Sequence, residues 1–394
     1  MANPFHIDVD HVQHFKHGHL VCGDAFLSRR IKEENRTVAV LSDGLGSGVK
    51  ANVLATLTAS MAVNFTLAKQ QVERTARIIM ETLPVDSERQ ISYATFTIAD
   101  IEGDGETRII EFDNPQWVLL RRGRAVPVER QSLGITLSDG SQRQMHIAHL
   151  HLGIDDRIVM VSDGVTQSGM GTAPLPLGLG DEGLQRLVEQ QVEARPDISS
   201  HELAERVVRR ALANDIYRAQ DDTTCAVIHC RSPRRLLLCS GPPFDERNDS
   251  LLADIVRRFE GRKIVCGGTT SLILARELGR EVEVGLNVDR SGLPPASHME
   301  GFDLVTEGIL TVGRVAEMLK NMRSTDIAET GPAADILRLM LGSDVIHLLV
   351  GTKINIAHQD PSLPVELEIR RNVMRNIAHL LEEKFLKQVV LQYI

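Results

Sequence analysis

The chain has 394 residues, 42% of them hydrophobic and 25% charged, which suits two soluble globular domains with ample core. Its net charge of -9 argues against nucleic acid or an anionic membrane as the main partner and suits a protein that handles cations or other proteins. No apolar run approaches membrane length, and residues 1–20 lack the apolar stretch of a signal peptide. The five cysteines, Cys22, Cys225, Cys230, Cys239 and Cys266, form no C-x-x-C pair, so free thiols in a reducing cytoplasm are expected.

The histidine-rich start (His6, His11, His14, His17, His19) reads as an exposed strand or arm. His19 to Ala25 contains Gly23-Asp24. Thr37 to Leu41 is a buried strand that breaks at Ser42-Asp43 into Gly44, Gly46 and Gly48. A helix follows, with Val49, Val53, Leu57, Met61 and Phe65 as its apolar face. A second helix from Gln70 has Val72, Ala76, Ile79 and Leu83 on one side and ends before Pro84. Short β-type runs come next: Ile91–Ala99, Thr107–Phe112, Trp117–Leu120, Ala125–Val128 and Met145–Leu152. Their tight turns, among them Arg121 to Arg124, imply antiparallel pairing. Arg157 to Val161 is another strand, ending in Ser162-Asp163-Gly164. The Gly/Pro-rich segment Ser168–Gly180 reads as a mobile flap. Helices Glu182–Glu193 and Ser200–Ala213, the latter capped by Ser199 or Ser200, lead to Asp221-Asp222-Thr223-Thr224 and a strand Cys225–Cys230.

Residues 231–235 look like a junction, dividing the chain into 1–232 and 233–394. Beyond it strands and helices alternate. The strands are Leu236–Ser240, Lys263–Cys266 and Val282–Leu286; the helices are Ser250–Phe259, a run to Leu278, Asp303–Met322, Ala333–Leu341 and a long amphipathic end from Glu366 to Tyr393. On that last helix Leu380, Leu381, Phe385, Leu386 and Val389 form a core-facing side, with a homodimer surface as the alternative.

Asp24, Asp43, Asp163 and Asp221, with Asp222 beside it, each lie at the edge of an apolar strand. Asp-Gly alone is a common turn dipeptide, and Ser138-Asp139-Gly140 is read as one. Four strand-end aspartates in this order point instead to convergence on one rim, and oxygen-only ligands suit Mg²⁺ or Mn²⁺. Two such ions bind a phosphate and hold a bridging hydroxide as nucleophile. There is no P-loop, G-x-S-x-G elbow or H-E-x-x-H motif.

Gly23-Asp24, Leu41-Ser42-Asp43-Gly44-Leu45-Gly46-Ser47-Gly48, Val161-Ser162-Asp163-Gly164-Val165 and Asp221-Asp222-Thr223-Thr224 together resemble the metal-dependent PP2C/PPM serine/threonine phosphatases over about residues 18–230. Within them, the bacterial sporulation-stage-II-E and Rsb-type branch is the more similar. The resemblance implies an α+β fold: an αββα sandwich of two antiparallel sheets flanked by helices, followed here by a smaller C-terminal α/β domain. It implies two Mn²⁺ or Mg²⁺ ions bridged by Asp43 with the Gly44 carbonyl, Asp163 and Asp221 on one ion, and Asp24 nearby; Asp222 replaces Asp221 if the register is shifted by one. The expected substrate is a phosphoserine or phosphothreonine of a regulatory protein such as an anti-sigma-factor antagonist. The sequence lacks an obvious phosphate-binding arginine beside Asp24; Arg29 and Arg30 are the candidates. Asn114-Pro115 and Gly134 lie between strands, where the resemblance implies glycine-rich turns, and are read as structural.

The alternatives are a pseudophosphatase that signals by contact and a small-molecule phosphatase whose C-terminal domain recognises the substrate. That domain resembles no family. Gly267-Gly268-Thr269-Thr270, between strand Lys263–Cys266 and a helix, is a candidate anion site in a regulatory sensor.

Overall fold

The computed structural model describes residues 5–31, 33–82, 94–285, 292–322, 327, 329–353, 365–385 and 387–394. It divides into two compact units, Met1–Ser232 and Pro233–Ile394. The readings at Leu83, Pro84, Ile91, Leu286 and Leu386 fall outside the described residues.

The first unit runs β1 (His6–His14), β2 (Ala25–Ile31), β3 (Arg36–Gly44), α1 (Val49–Leu67), α2 (Val72–Thr82), β4 (Ala94–Ile101), β5 (Glu106–Phe112), β6 (Val118–Arg121), β7 (Arg124–Val126), β8 (Gln131–Thr136), β9 (Gln142–His151), β10 (Arg157–Val161), α3 (Asp163–Thr166), α4 (Gly180–Ala194), α5 (Ser200–Asn214) and β11 (Thr223–Arg231). One sheet has the order β1-β11-β10-β6-β7 and the other β2-β3-β4-β5-β9-β8. All their pairings are antiparallel.

Strand alternation builds the layers, since successive side chains point to opposite faces. On β3, Ala39 and Leu41 join Ile158 and Met160 of β10 and Ala226 and Ile228 of β11 in a core between the sheets. Val38 and Val40 turn outward onto α1 and α2. On the opposite face Val159, Val161, Cys225 and Val227 meet Leu184, Val188, Leu203 and Val207 of α4 and α5. This is the expected αββα sandwich. Of the N-terminal histidines, His6, His11 and His14 fall on β1, a half-buried strand paired to β11 along its whole length, and His17 and His19 follow it. Ser199 is the cap of α5, accepting from the Glu202 N–H at 3.2 Å.

Two readings of this unit need correction. Helix α1 does not bury its valine and leucine stripe: Val49, Val53 and Leu57 are 67%, 57% and 43% exposed, while Ala51, Ala55, Ala59 and Ala62 face the sheet. Small side chains let the helix backbone lie close to β3, whose Gly44 packs against the Ala51 carbonyl. Gly134 sits inside β8, opposite Gln144, with nothing within 4 Å of where a Cβ would stand, so no turn requires it.

The second unit contains β12 (Arg235–Ser240), α6 (Asp249–Arg258), β13 (Arg262–Cys266), α7 (Gly268–Leu278), a small hairpin of β14 (Val282–Glu283) and β15 (His298–Met299), β16 (Leu304–Thr306), α8 (Ile309–Asn321), α9 (Pro332–Leu341), β17 (Val345–Val350), α10 (Val365–Phe385) and β18 (Gln388–Tyr393). Its main sheet, β16-β13-β12-β17-β18, is parallel throughout. Helices cover both faces, as parallel strands require: α6 and α7 pack on Leu237, Cys239, Val265 and Leu349, and α8, α9 and α10 on Leu236, Leu238, Ile264, Ile346 and Leu348.

In this main sheet the sequence reading missed three strands. Leu304–Thr306, read as the start of a helix, pairs with Ile264–Cys266. Val345–Val350 was not anticipated, and Gln388–Tyr393, read as helix, lies parallel to it. Val389 therefore belongs to the sheet, while Leu381 is buried with Met374 and Ile377 on α10.

Candidate active site

The antiparallel registers carry the aspartates to one rim. Ala25, just after Asp24, pairs with Ser42, just before Asp43, and Val161 at the end of β10 pairs with Cys225 near the start of β11. Asp24 and Asp43 thus come from one sheet, and Asp163, Asp221 and Asp222 from the other.

Ser42 and Ser162, the serines ahead of Asp43 and Asp163, are buried braces. Ser42 Oγ donates to the Thr95 carbonyl at 2.9 Å, tying β3 to β4. Ser162 Oγ accepts the Thr224 N–H at 2.9 Å and donates to the Asp222 carbonyl at 3.4 Å, tying β10 to β11. Asn114 is structural, as read: its Nδ2 donates to Leu41 O (3.3 Å) and Thr97 Oγ1 (3.0 Å), and its Oδ1 accepts the Thr95 hydroxyl.

The carboxylates perturb one another. Burial, then the charges of Asp24, Asp163 and Asp221, push the Asp43 carboxyl well above the usual range. Asp43 and Asp163 share a hydrogen bond, and Asp163 is raised by burial and by Asp221. Burial raises Asp24 to about 7, opposed by the hydrogen bond from Thr224, whose Oγ1 donates to Oδ2 at 2.6 Å. Asp221 therefore faces Asp43 and Asp163, whereas Asp222 faces Asp24 and accepts the Lys16 N–H on Oδ1 at 3.0 Å. Two carboxylate oxygens, Asp24 Oδ1 and Asp222 Oδ2, are buried with no hydrogen-bond partner among the described residues.

These oxygens fit a hard divalent cation, which relieves both the repulsion and the missing partners. Among the described residues no group of three His, Cys, Asp or Glu side chains already stands ready to hold an ion. Mg²⁺ keeps several waters and needs only one or two carboxylates, so the fit rests on the Asp43–Asp163 pair and the orphaned oxygens.

Three neighbours were not foreseen. Gln167 Nε2 donates to Asp163 Oδ2 at 2.9 Å, one helical turn on. The Lys16 ammonium lies 3.6 Å from Asp221 Oδ1. His19 Nε2 is 3.3 Å from Ser47 Oγ in the glycine turn. Gln167 alone had a signal, its i+4 spacing from Asp163.

Arg29 and Arg30 do not reach the rim. They pair with Val38 and Thr37 at the start of β3, five residues of extended strand (about 16 Å) from Asp24. Arg30 instead contacts Asn35 Oδ1 at 3.3 Å. The segment Ser168–Gly180, expected to be mobile, is tied down: Gly169 N–H donates to Asp215 Oδ1 at 2.6 Å, Asn214 Nδ2 to Ser168 Oγ at 3.0 Å, and Leu179 N–H to Ser168 O at 3.1 Å.

Two antiparallel sheets between helix layers, with acidic residues gathered on one rim, define a PP2C-type phosphatase. Residues 33–231, about half of the chain, match the family described as Stage II sporulation protein E (SpoIIE), and the chain belongs to that family. Its first unit is accordingly a protein serine/threonine phosphatase domain of a metal-dependent class. No curated protein matches the chain. Among solved structures it is similar to the phosphatase domain of SpoIIE from Bacillus subtilis (15% identity, 59% of this chain and 95% of that one, TM-score 0.44). It is also similar to the RsbU and RsbW domains of Rv1364c from Mycobacterium tuberculosis (19%, 64% and 68%, 0.45). A third likeness is RsbX in complex with magnesium (16%, 58% and 98%, 0.40). Among the described residues no helix is long and apolar enough to cross a membrane.

Proposed function

We propose that the chain removes phosphate from phosphoserine or phosphothreonine of a regulatory partner protein at a two-ion Mg²⁺ or Mn²⁺ centre on this rim. The observation that carries the reading is the gathering of five aspartates from two sheets, two of them with buried oxygens that have no partner among the described residues. Asp43, with the Gly44 carbonyl, would bridge the ions; Asp163 and Asp221 would hold one of them, and Asp24 and Asp222 would lie on the other side. Such ions polarise a phosphoryl group and lower the pKa of water.

The remaining work falls to the chain. Gln167 fixes one oxygen of Asp163, while Thr224 orients Asp24. Lys16 offsets charge at Asp221 and is the cation placed to meet a substrate phosphate, the part for which Arg29 and Arg30 stand too far away. The five cysteines are free, which supports a reducing, cytoplasmic setting. The second unit is read as regulatory.

The test is hydrolysis of a phosphoserine peptide before and after chelation. Turnover is expected only with Mn²⁺ or Mg²⁺, and residues 1–232 alone should retain it because every proposed ligand and three hydrophobic cores lie within them. Turnover that survives chelation would overturn the two-ion centre.

The segment Ser168–Gly180 begins five residues after Asp163 and exposes Met170 (45%) and Leu177 (83%). Being pinned, it presents these side chains in fixed positions, as loops on a rigid scaffold do for recognition. Replacing both with serine should lower kcat/KM on a phosphoprotein by about tenfold or more, since each methylene buried against the partner is worth about 0.8 kcal/mol, and leave an aryl phosphate unaffected. Equal losses on the two substrates would remove the recognition role.

A further inference from the structure

In the C-terminal sheet the chain leaves β12 and β13 towards one face and β16 and β17 towards the other. Two neighbouring pairs, β12/β17 and β13/β16, therefore send their helices to opposite faces, and ligands of open parallel sheets bind at the carboxyl ends of such pairs. The first crevice is filled by the protein. A Cβ on Gly351 would overlap the Gly241 and Pro242 carbonyl oxygens, and one on Gly241 would stand 2.6 Å from the Arg370 guanidinium.

The second is built differently. Gly267 (φ 123°) and Gly308 are the N-caps of α7 and α8, and a Cβ on Gly308 would lie 3.5 Å from Gly267 Cα. Neither helix has a side-chain cap, so two sets of first-turn N–H groups and two positive helix ends meet at one point. Thr270, in the first turn of α7, is 1% exposed, and its hydroxyl has no partner among the described residues. That oxygen lies 3.4 Å from where a Cβ of Gly267 would stand, so it is aimed at the cap. Thr311, at the equivalent position of α8, is also buried, and its hydroxyl too has no partner among the described residues. Glu307, next to Gly308, places Oε1 4.0 Å from the Cβ position of Gly268. A carboxylate there disfavours a bare anion and favours one that also brings hydroxyl donors.

We propose that the crevice formed by Gly267, Gly268, Thr270, Gly308 and Glu307 binds a sugar phosphate or nucleotide. The phosphate sits on the two helix N-termini and the Thr270 hydroxyl, and the sugar hydroxyls donate to Glu307. This assignment is independent of the substrate taken by the phosphatase rim.

The experiment is calorimetry and thermal melting on the full chain in chelator, which removes any cation-dependent binding at the rim. The probes are AMP, GMP, ribose 5-phosphate and inorganic phosphate. At least one of the three sugar phosphates should bind and raise Tm, and inorganic phosphate should bind much more weakly. Thr270→Val keeps the shape and removes the orphaned hydroxyl. Gly268→Ala places its methyl at an ordinary φ, with Glu307 Oε1, at 4.0 Å, the nearest atom to it. Both variants should melt no lower than wild type without ligand, yet bind the probe about tenfold more weakly or worse, the worth of a hydrogen bond to a charged group. No binding by any sugar phosphate, or binding indifferent to both variants, overturns the proposal. Inorganic phosphate binding as tightly as the sugar phosphates overturns the role of Glu307 and the ligand class.

Discussion

Replacing Asp43 with alanine should abolish phosphopeptide turnover while leaving the circular dichroism spectrum near wild type. Burial and the charges of Asp24, Asp163 and Asp221 all act on Asp43, which is why the bridging position is assigned to it in the proposed centre. Metal stabilisation of transition-state charge is worth several kcal/mol, so a loss of about 10³-fold or more in kcat is expected. Stability should move the other way. Asp43, Asp163 and Asp24 have folded-state pKa values raised above their unfolded ones. Their ionisation therefore opposes folding: stability is fully present below the unfolded values, near pH 4, and is lost as pH rises through the folded ones, about 7 for Asp24. Metal-free wild type should melt lower at pH 8 than at pH 5, Asp43→Ala should narrow that gap, and Mn²⁺ should raise the wild-type Tm at pH 8 but not that of the variant. Retention of more than a few per cent of wild-type turnover would show that Asp43 is not the bridging ligand.

The second large effect is expected from Gly164→Ala. Gly164 is buried directly after Asp163, and a Cβ there would overlap the Asp222 carbonyl and stand 3.0 Å from Thr223 Oγ1. The backbones cannot slide apart, because Ser162 N–H donates to Thr224 O at 3.0 Å and Ser162 Oγ bonds both Thr224 N–H and Asp222 O. Overpacking against backbone costs about 3 kcal/mol, roughly 6–12 °C in Tm for a unit of this size. The same push separates Asp163 from Asp221, so turnover should fall with stability and added Mn²⁺ should not restore it. Gly134→Ala, in the open middle of β8, is the control and should change neither quantity. A Gly164→Ala protein with wild-type Tm and kcat would mean that the two strand ends are not held as rigidly as their hydrogen bonds imply.

The rim was legible because its signal is local. An aspartate at the end of an apolar strand is visible in a few residues, and the two Ser-Asp-Gly copies turn out to be the same device, a buried serine bracing the strand that carries the acid. The buried face of α1 was not legible, because alanine at 51, 55, 59 and 62 contributes little to an apolar pattern while valine and leucine dominate it. What decides there is closeness of approach, which a hydrophobic period does not record. Arg29 and Arg30 misled because five residues of sequence are a short interval on paper but a long one along an extended strand. In the second unit the missed strands all pair with partners far away in sequence: Gln388–Tyr393 and Arg235–Ser240 both lie against Val345–Val350, and neither pairing leaves a turn between consecutive strands to mark it.

The place of β11 governs how the first unit comes together. It is the unit's last strand, yet it lies between β1 and β10, with Arg231 opposite His6 and His229 opposite Arg157. On the ribosome, β1 and β10 are each made with that flank unsatisfied, and they stay so until residues 223–231 have emerged. Closing a sheet by joining positions more than two hundred residues apart is a high-contact-order step, which slows folding and leaves open strand edges exposed in the meantime. Asp221 and Asp222 ride at the leading end of that strand, so the rim acquires its last carboxylates in the same event that closes the sheet. A chain arrested before β11 docks would carry Asp24, Asp43 and Asp163 without the two carboxylates that complete the proposed centre, and on that proposal would be inactive while it waits.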